Sequence, residues 1–163
     1  MSADGVLDEL HQRGIEYTLM PCDPQLADTA QFCEAYGIDP QDSANTILVV
    51  GKSNPRVYAA CVLLATTRLD VNGMVRKRLG IRRTSFASAE ETAEITGMIM
   101  GGVTPFGLPD DLPVWVDAAV MTRDSIVLGG GTRDRKVLAA PAALESLASV
   151  EVVPDLAAPY PQA

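Results

Sequence analysis

The segment Gly97-Met98-Ile99-Met100-Gly101-Gly102-Val103-Thr104-Pro105-Phe106-Gly107 carries four glycines and one proline in eleven residues. Glycine admits positive φ and lets a ligand approach the backbone closely. Such a loop can aim several peptide N–H groups at one oxygen, as an anion nest or an oxyanion hole does. The same composition also serves a tight crossover between two core elements. On composition alone the two readings stand level.

Other chemistry is scarce. His11 is the single histidine, so a His-rich metal site is excluded within one chain, and any Ser-His-Asp or Cys-His site would need His11 as its base. Its neighbours Gln12 and Arg13 place it on a solvated helix face. Cys22, Cys33 and Cys61 are odd in number and widely spaced, which fits buried free thiols rather than a disulfide framework or a zinc pair. Gly51-Lys52-Ser53 resembles the end of a phosphate-binding loop, but Thr46 stands where that loop needs glycine and Pro55 blocks the helix that must follow. Gly129-x-Gly131 lacks the third glycine of a dinucleotide fingerprint, because Asp134 occupies its place. Asp110-Asp111 reads as a solvated carboxylate pair at a loop tip.

Charge is unevenly spread. The net charge is −8, and residues 1–45 hold nine acids against Arg13 alone. Residues 66–86 carry Arg68, Arg76, Lys77, Arg78, Arg82 and Arg83 against Asp70. Arg123, Arg133, Arg135 and Lys136 form a second basic group. A polyanion can dock on such a patch although the chain is acidic; a solvated helix face is the plainer reading. Only Phe86 lies near it, so no base-stacking platform is evident.

These residues must be positioned by a chain of 163 residues, 47% apolar and 21% charged, which is ordinary for one globular domain and excludes a disordered chain. No apolar run approaches the roughly 20 residues that cross a bilayer. The acidic N-terminus does not read as a signal peptide, so a cytoplasmic location is expected. Val6, Leu7 and Leu10 have helical spacing before Gly14; Leu26, Ala30 and Cys33 predict a second helix ending at Tyr36-Gly37. Thr46 to Val50 and Val57 to Ala65 predict a core hairpin. Asp70 caps a helix with the apolar stripe Val71, Met74, Val75 and Leu79, stopped by Gly80, and Ser88 and Glu91 form a capping box. Thr96 to Asp111 is loop; Val114–Val116, Ser125–Leu128, Lys136–Ala139 and Val150–Val153 are strands; Pro141–Ser149 is a helix; the chain from Pro154 is a loose, proline-rich tail. Strands and helices interleave irregularly, which favours a mixed sheet with helices around it.

The run Thr96-Gly97-x-x-x-Gly101-Gly102-Val103-Thr104-Pro105-Phe106-Gly107-Leu108 resembles the signature loop of the YbaK-type family, the editing domains similar to the insertion domain of bacterial prolyl-tRNA synthetase. Arg68-Leu69-Asp70-Val71, Leu79-Gly80, Leu112-Pro113-Val114 before Asp117, and Gly129-Gly130-Gly131 fall in the family's order, over roughly residues 17 to 150. The resemblance implies one α/β domain over residues 1–153, with a mixed curved sheet surrounded by helices, and a tail over 154–163. It implies hydrolysis of the ester between a wrong amino acid and the 3′ end of a tRNA, such as a proline tRNA carrying alanine or cysteine. It implies no cofactor, no metal and no Ser or Cys nucleophile; tRNA and an aminoacyl-tRNA synthetase are the partners expected, and no membrane. Gly101 and Gly102 are the expected catalytic N–H donors. Thr46, Val103, Thr104, Pro105, Phe106, Gly107, Asp117, Gly130 and Gly131 are the expected substrate contacts. Arg68, Arg76, Lys77, Arg82 and Arg83 are the expected tRNA contacts.

One departure stands out. Most deacylating members carry a lysine in the first hairpin strand, where this chain has Asn45 before Thr46. An amide donates a hydrogen bond but brings no charge. Lys136 either reaches the same pocket and supplies the missing cation, which puts Asn45 and Lys136 among the catalytic candidates, or is one more surface base, the plainer reading. The alternative is a weak or inactive member that binds aminoacyl-tRNA, a synthetase or a small amino-acid-like ligand.

Overall fold

The computed structural model describes residues 4–160. In chain order its elements are α1 (Gly5–Gln12), β1 (Tyr17–Pro21), α2 (Thr29–Tyr36), β2 (Ala44–Gly51), β3 (Val57–Leu64), β4 (Thr67–Leu69), α3 (Arg76–Leu79), β5 (Thr84–Phe86), α4 (Ala89–Thr96), β6 (Val114–Asp117), β7 (Ile126–Gly129), β8 (Arg135–Ala139), β9 (Val150–Val153) and β10 (Ala157–Pro159).

The two β-branched runs form the expected hairpin, with β2 and β3 in antiparallel register from Ala44↔Leu64 to Gly51↔Val57. β6 adds to β3 and β9 adds to β6, both parallel, while β5 pairs antiparallel with β2, giving the order β5-β2-β3-β6-β9. Parallel strands need cover on both faces, and β6 is buried throughout. Leu48, Ala60, Val62, Val114 and Val116 meet Leu10, Phe106 and Leu128 on one face. Val49, Ala59, Cys61, Leu63 and Trp115 meet Leu69, Val75 and Leu156 on the other. A second sheet, β1-β8-β7, is antiparallel. Phe32 and Cys33 of α2 pack with Cys22, Ala27 and Val127 beside it. The result is a mixed α/β domain.

Local signals explain most helix ends. The Asp4 carboxylate accepts from Leu7 N–H at the start of α1, and Ser88 Oγ accepts from Glu91 N–H at the start of α4. Asp70 accepts from Gly73 and Met74 N–H, opening a π-helical turn over Val71–Val75 that runs into α3.

Several expectations are corrected. The helix expected around Leu26 starts only at Thr29, because Pro24–Leu26 forms a separate 3-10 turn capped by Asp23. Pro141–Ser146 is also a 3-10 turn and not an α-helix. The chain after Pro154 is not loose where it is described: Leu156 is fully buried, and β10 pairs with β4 from Ala157↔Leu69 to Pro159↔Thr67. Residues 161–163 of the expected tail lie outside the described residues. Strands β1, β4 and β5 were not expected. Among the described residues no helix is long and apolar enough to cross a membrane.

Candidate functional site

β5 pairs with β2 only at Val49–Gly51, and Ala87 N–H reaches Leu48 O, so Ala44–Ile47 has no strand on that edge. A cavity of about 220 Å³ opens there. Asp28, Thr29 and Phe32 wall it from α2 and its N-cap; Asn45, Thr46 and Ile47 from β2; Met100, Gly101 and Val103 from the glycine loop. Gly129 and Lys136, opposite one another in the β7–β8 register, close it.

Lys136 is 6% exposed, on the central strand of the three-stranded sheet. Its Nζ donates to Ala27 O at 2.6 Å and to Gly101 O at 3.1 Å, and lies 5.4 Å from the Phe32 ring centroid. Among the described residues it has no ion-pair partner. Burial pushes its pKa down, since the charged form loses hydration. An ammonium has three N–H donors. Two are on carbonyls, which leaves one donor on a residue that lines the cavity. Burial pushes the nearby thiols of Cys22 and Cys33 up, which keeps them protonated and unreactive.

Asn45 Oδ1 accepts a hydrogen bond from Thr29 Oγ1, tying β2 to α2 across the cavity. Thr46 is 8% exposed, and its Oγ1 has no hydrogen-bond partner among the described residues. A buried orphan hydroxyl costs free energy unless a ligand or water satisfies it.

The loop does not present all its N–H groups to the cavity. Gly101 and Val103 line the cavity, but Gly102 N–H donates to Ile99 O at 2.9 Å and so is spent inside the turn. Gly102 O accepts from Gly131 N–H at 2.7 Å. Phe106 is fully buried in the core, and Thr104 is fully buried too. Gly107 N–H donates to Glu9 Oε1, and Pro105 lines a separate shallow pocket with Glu9 and Leu108. Gly130 O accepts from Arg135 Nε. Asp117 accepts from Ala157 N–H and so fixes β10. Of the residues expected at the substrate, Thr104, Pro105, Phe106, Gly107, Asp117, Gly130 and Gly131, and the expected donor Gly102, do not line the cavity. His11 lies outside it, with Nε2 2.8 Å from Tyr17 Oη.

Asp28, Thr29, Phe32 and Met100 were missed as site residues. A β-strand edge meets a helix N-terminus only in the folded chain; the one sequence signal was the Asp28-Thr29 pair opening a helix. Arg68, Arg76, Lys77, Arg82 and Arg83 are all exposed, and none has an ion-pair partner among the described residues. Arg78 differs: it pairs with Glu151 at 2.6 Å and lies over the Trp115 ring. Ile47, in the cavity wall, packs against the same apolar cluster as Val71, Met74 and Leu79 of the basic segment. Among the described residues, no group of three or more His, Cys, Asp or Glu side chains is placed to hold a metal ion.

A family model described as the aminoacyl-tRNA editing domain matches residues 23–147. The chain belongs to this family. The match spans the cavity, the glycine loop and the basic segment. Among relatives of the editing domain, the proline–tRNA ligase of Bacillus licheniformis is 32% identical over 114 residues, covering 68% of this chain and 19% of that protein. The chain thus spans about a fifth of that ligase's length. A candidate Cys-tRNA(Pro)/Cys-tRNA(Cys) deacylase, EbsC, of Enterococcus faecalis is 25% identical over 114 residues, covering 70% of this chain and 68% of that one. Among solved structures, a hypothetical protein superposes with a TM-score of 0.83 at 25% identity, covering 95% of this chain and 100% of that one. A candidate trans-editing enzyme for prolyl-tRNA synthetase superposes with a TM-score of 0.79 at 23% identity, covering 94% and 97% of the two chains, a likeness of fold.

Proposed function

We propose that this editing domain hydrolyses the ester of a mischarged aminoacyl-tRNA, with a proline tRNA carrying alanine, cysteine or a similarly small amino acid as the substrate class. The observation that carries the reading is the cavity of about 220 Å³ with the Lys136 ammonium and Gly101 in its wall. That volume is below the range of pockets for drug-sized ligands and suits a small acyl group.

The chemistry asks little of the protein, because an aminoacyl ester is already activated. A water attacks the ester carbonyl carbon, and the carbonyl oxygen takes up the negative charge. Lys136 Nζ–H and Gly101 N–H stabilise that oxyanion. The tetrahedral intermediate collapses; the C–O bond to the ribose breaks, the ribose oxygen takes a proton, and the free amino acid leaves. The proton lost by the water goes to solvent or to a basic group on the substrate. One oxyanion donor is worth about 10²–10³ in rate, and positioning adds to it. The Thr46 hydroxyl gains a partner when the substrate enters. The exposed Arg68, Arg76, Lys77, Arg82 and Arg83 meet the phosphate backbone. By analogy with the relatives, a prolyl-tRNA synthetase is the partner that makes the mischarged product.

A second reading, binding without catalysis, is favoured by one observation: Asn45 stands where a cation is usual, and Thr29 holds its amide oxygen. A deacylation assay on tRNAs charged with alanine, cysteine, serine and proline separates the two. Release of one or more small amino acids supports the hydrolase. Tight retention of intact aminoacyl-tRNA at enzyme excess supports the binder. Activity on small esters without tRNA overturns both.

A further inference from the structure

Arg133 is not in the cavity wall, yet its guanidinium ties together the segments that form it. Nε donates to Pro24 O at 2.9 Å, and Nη1 donates to Met100 O at 2.8 Å while lying 3.3 Å from Asp28 Oδ1. The side chain therefore joins the β7–β8 turn to the approach to α2 and to the tip of the glycine loop.

The bond to Met100 O matters most. Ile99 O accepts from Gly102 N–H across Met100 and Gly101, which defines a four-residue turn. Gly101 has φ +87, while among the described residues only Asp155 is a non-glycine with positive φ, so Met100 is negative. Negative φ followed by positive φ is the type II arrangement. Gly101 lines the cavity, where Lys136 Nζ donates to its carbonyl oxygen. The C=O and N–H of a trans peptide point in opposite directions. A guanidinium on Met100 O thus turns Gly101 N–H away from itself. Gly101 N–H itself has no hydrogen-bond partner among the described residues.

Gly101 is fitted to this brace in a second way. A Cβ at that position would lie 2.1 Å from Arg133 Nη1. The absence of a side chain at 101 is what lets the guanidinium reach the carbonyl before it.

We infer that Arg133 is a positioning residue: it locks the Met100–Gly101 peptide plane so that Gly101 N–H is presented to the substrate's carbonyl oxygen. The inference rests on the hydrolase reading for its catalytic consequence, but not for its conformational one. Without the brace the peptide is free to flip, and the flipped turn presents the Met100 carbonyl oxygen where an oxyanion must sit.

The test uses the full-length protein, its Arg133→Ala and Arg133→Lys variants, and two readouts. In single-turnover deacylation, Arg133→Ala lowers the maximal rate by about 10- to 100-fold, up to the loss of one oxyanion donor. The half-saturating enzyme concentration stays within about twofold, since a transition-state interaction is removed and not ground-state binding. Arg133→Lys recovers part of the rate, because an ammonium still reaches Met100 O. In the unliganded protein, the NMR amide signal of Gly101 shifts or broadens by exchange in Arg133→Ala, while the amides of β3 and β6 keep their positions and report an intact fold. If the wild type deacylates nothing, the functional reading fails and the Gly101 signal alone decides on the brace: movement supports it and an unmoved signal overturns it. With an active wild type, an unchanged maximal rate, or a loss confined to half-saturation, overturns the inference. Should Arg133→Ala not fold, the same two readouts on Arg133→Lys decide it: a lowered maximal rate with a shifted or broadened Gly101 signal and unmoved β3 and β6 amides supports the brace, and any other result overturns it.

Discussion

Lys136 Nζ donates to Gly101 O at 3.1 Å, so a cation from the central strand of the second sheet is bound to the tip of the glycine loop. The two candidate catalytic groups therefore hold each other in place, and each can be removed separately.

Replacing Lys136 with methionine removes the charge and keeps most of the side-chain length. Single-turnover deacylation is expected to fall by about 10²–10³. Thermal stability is expected to hold or rise, because burying a charge without an ion-pair partner is costly and an apolar chain is not. An active Lys136→Met variant would remove lysine from the mechanism.

The pH dependence follows from the lowered Lys136 pKa, caused first by burial. The unfolded chain keeps an ordinary lysine value of 10.5 and so holds its proton at pH values where the folded chain has released it. Stability rises with pH wherever the unfolded state binds more protons. The melting temperature of the wild type relative to Lys136→Met should therefore climb as pH rises from the lowered value towards 10.5, and level off above it. Deacylation, which uses the charged form, should fall over the same window. A constant difference in melting temperature between the two proteins would contradict the burial.

The hairpin was legible because its strands are long, β-branched and bounded by a turn at Gly51 to Pro55. β4 and β5 have three residues each, too few to show a period, and β10 contains proline, which marks it as an edge. At the site, Asn45, Thr46, Gly101, Val103 and Lys136 were legible, and all line the cavity. From Thr104 to Gly107, composition shows that N–H groups are present but not where they are spent. Phe106 went to the core, and Gly107 went to Glu9. Phe32 sits among apolar helix positions whose inner face is set only by packing against Val127 and Cys22.

The basic segment should be read by salt. Arg76→Ala combined with Lys77→Ala is expected to weaken tRNA binding and flatten the plot of log affinity against log salt by up to about 1.4–1.8, or 0.7–0.9 for each phosphate that no longer meets a cation. Fluorescence anisotropy with labelled tRNA over a salt series measures it. An unchanged slope would place the tRNA elsewhere.

Gly129 is required by close approach. A Cβ there would lie 2.1 Å from Val103 O and 3.1 Å from Gly102 O, so Gly129→Ala must push the glycine loop away from β7. A loss of about 1–3 kcal/mol is expected, as for other overpacked sites. Gly5→Ala, with nothing within 4 Å of the added Cβ, should leave the melting temperature unchanged or slightly raised. Thermal melts of the two variants check the contrast.

The most direct test of the cavity as the aminoacyl site is a complex with a non-hydrolysable analogue, adenosine joined through a 3′-amide to alanine. The predicted result is a bound acyl group against Thr46 and Lys136, with its carbonyl oxygen within hydrogen-bond distance of Gly101 N and Lys136 Nζ. Binding in the groove beside Arg68 and Phe86, with the cavity empty while the analogue is saturating, would contradict it.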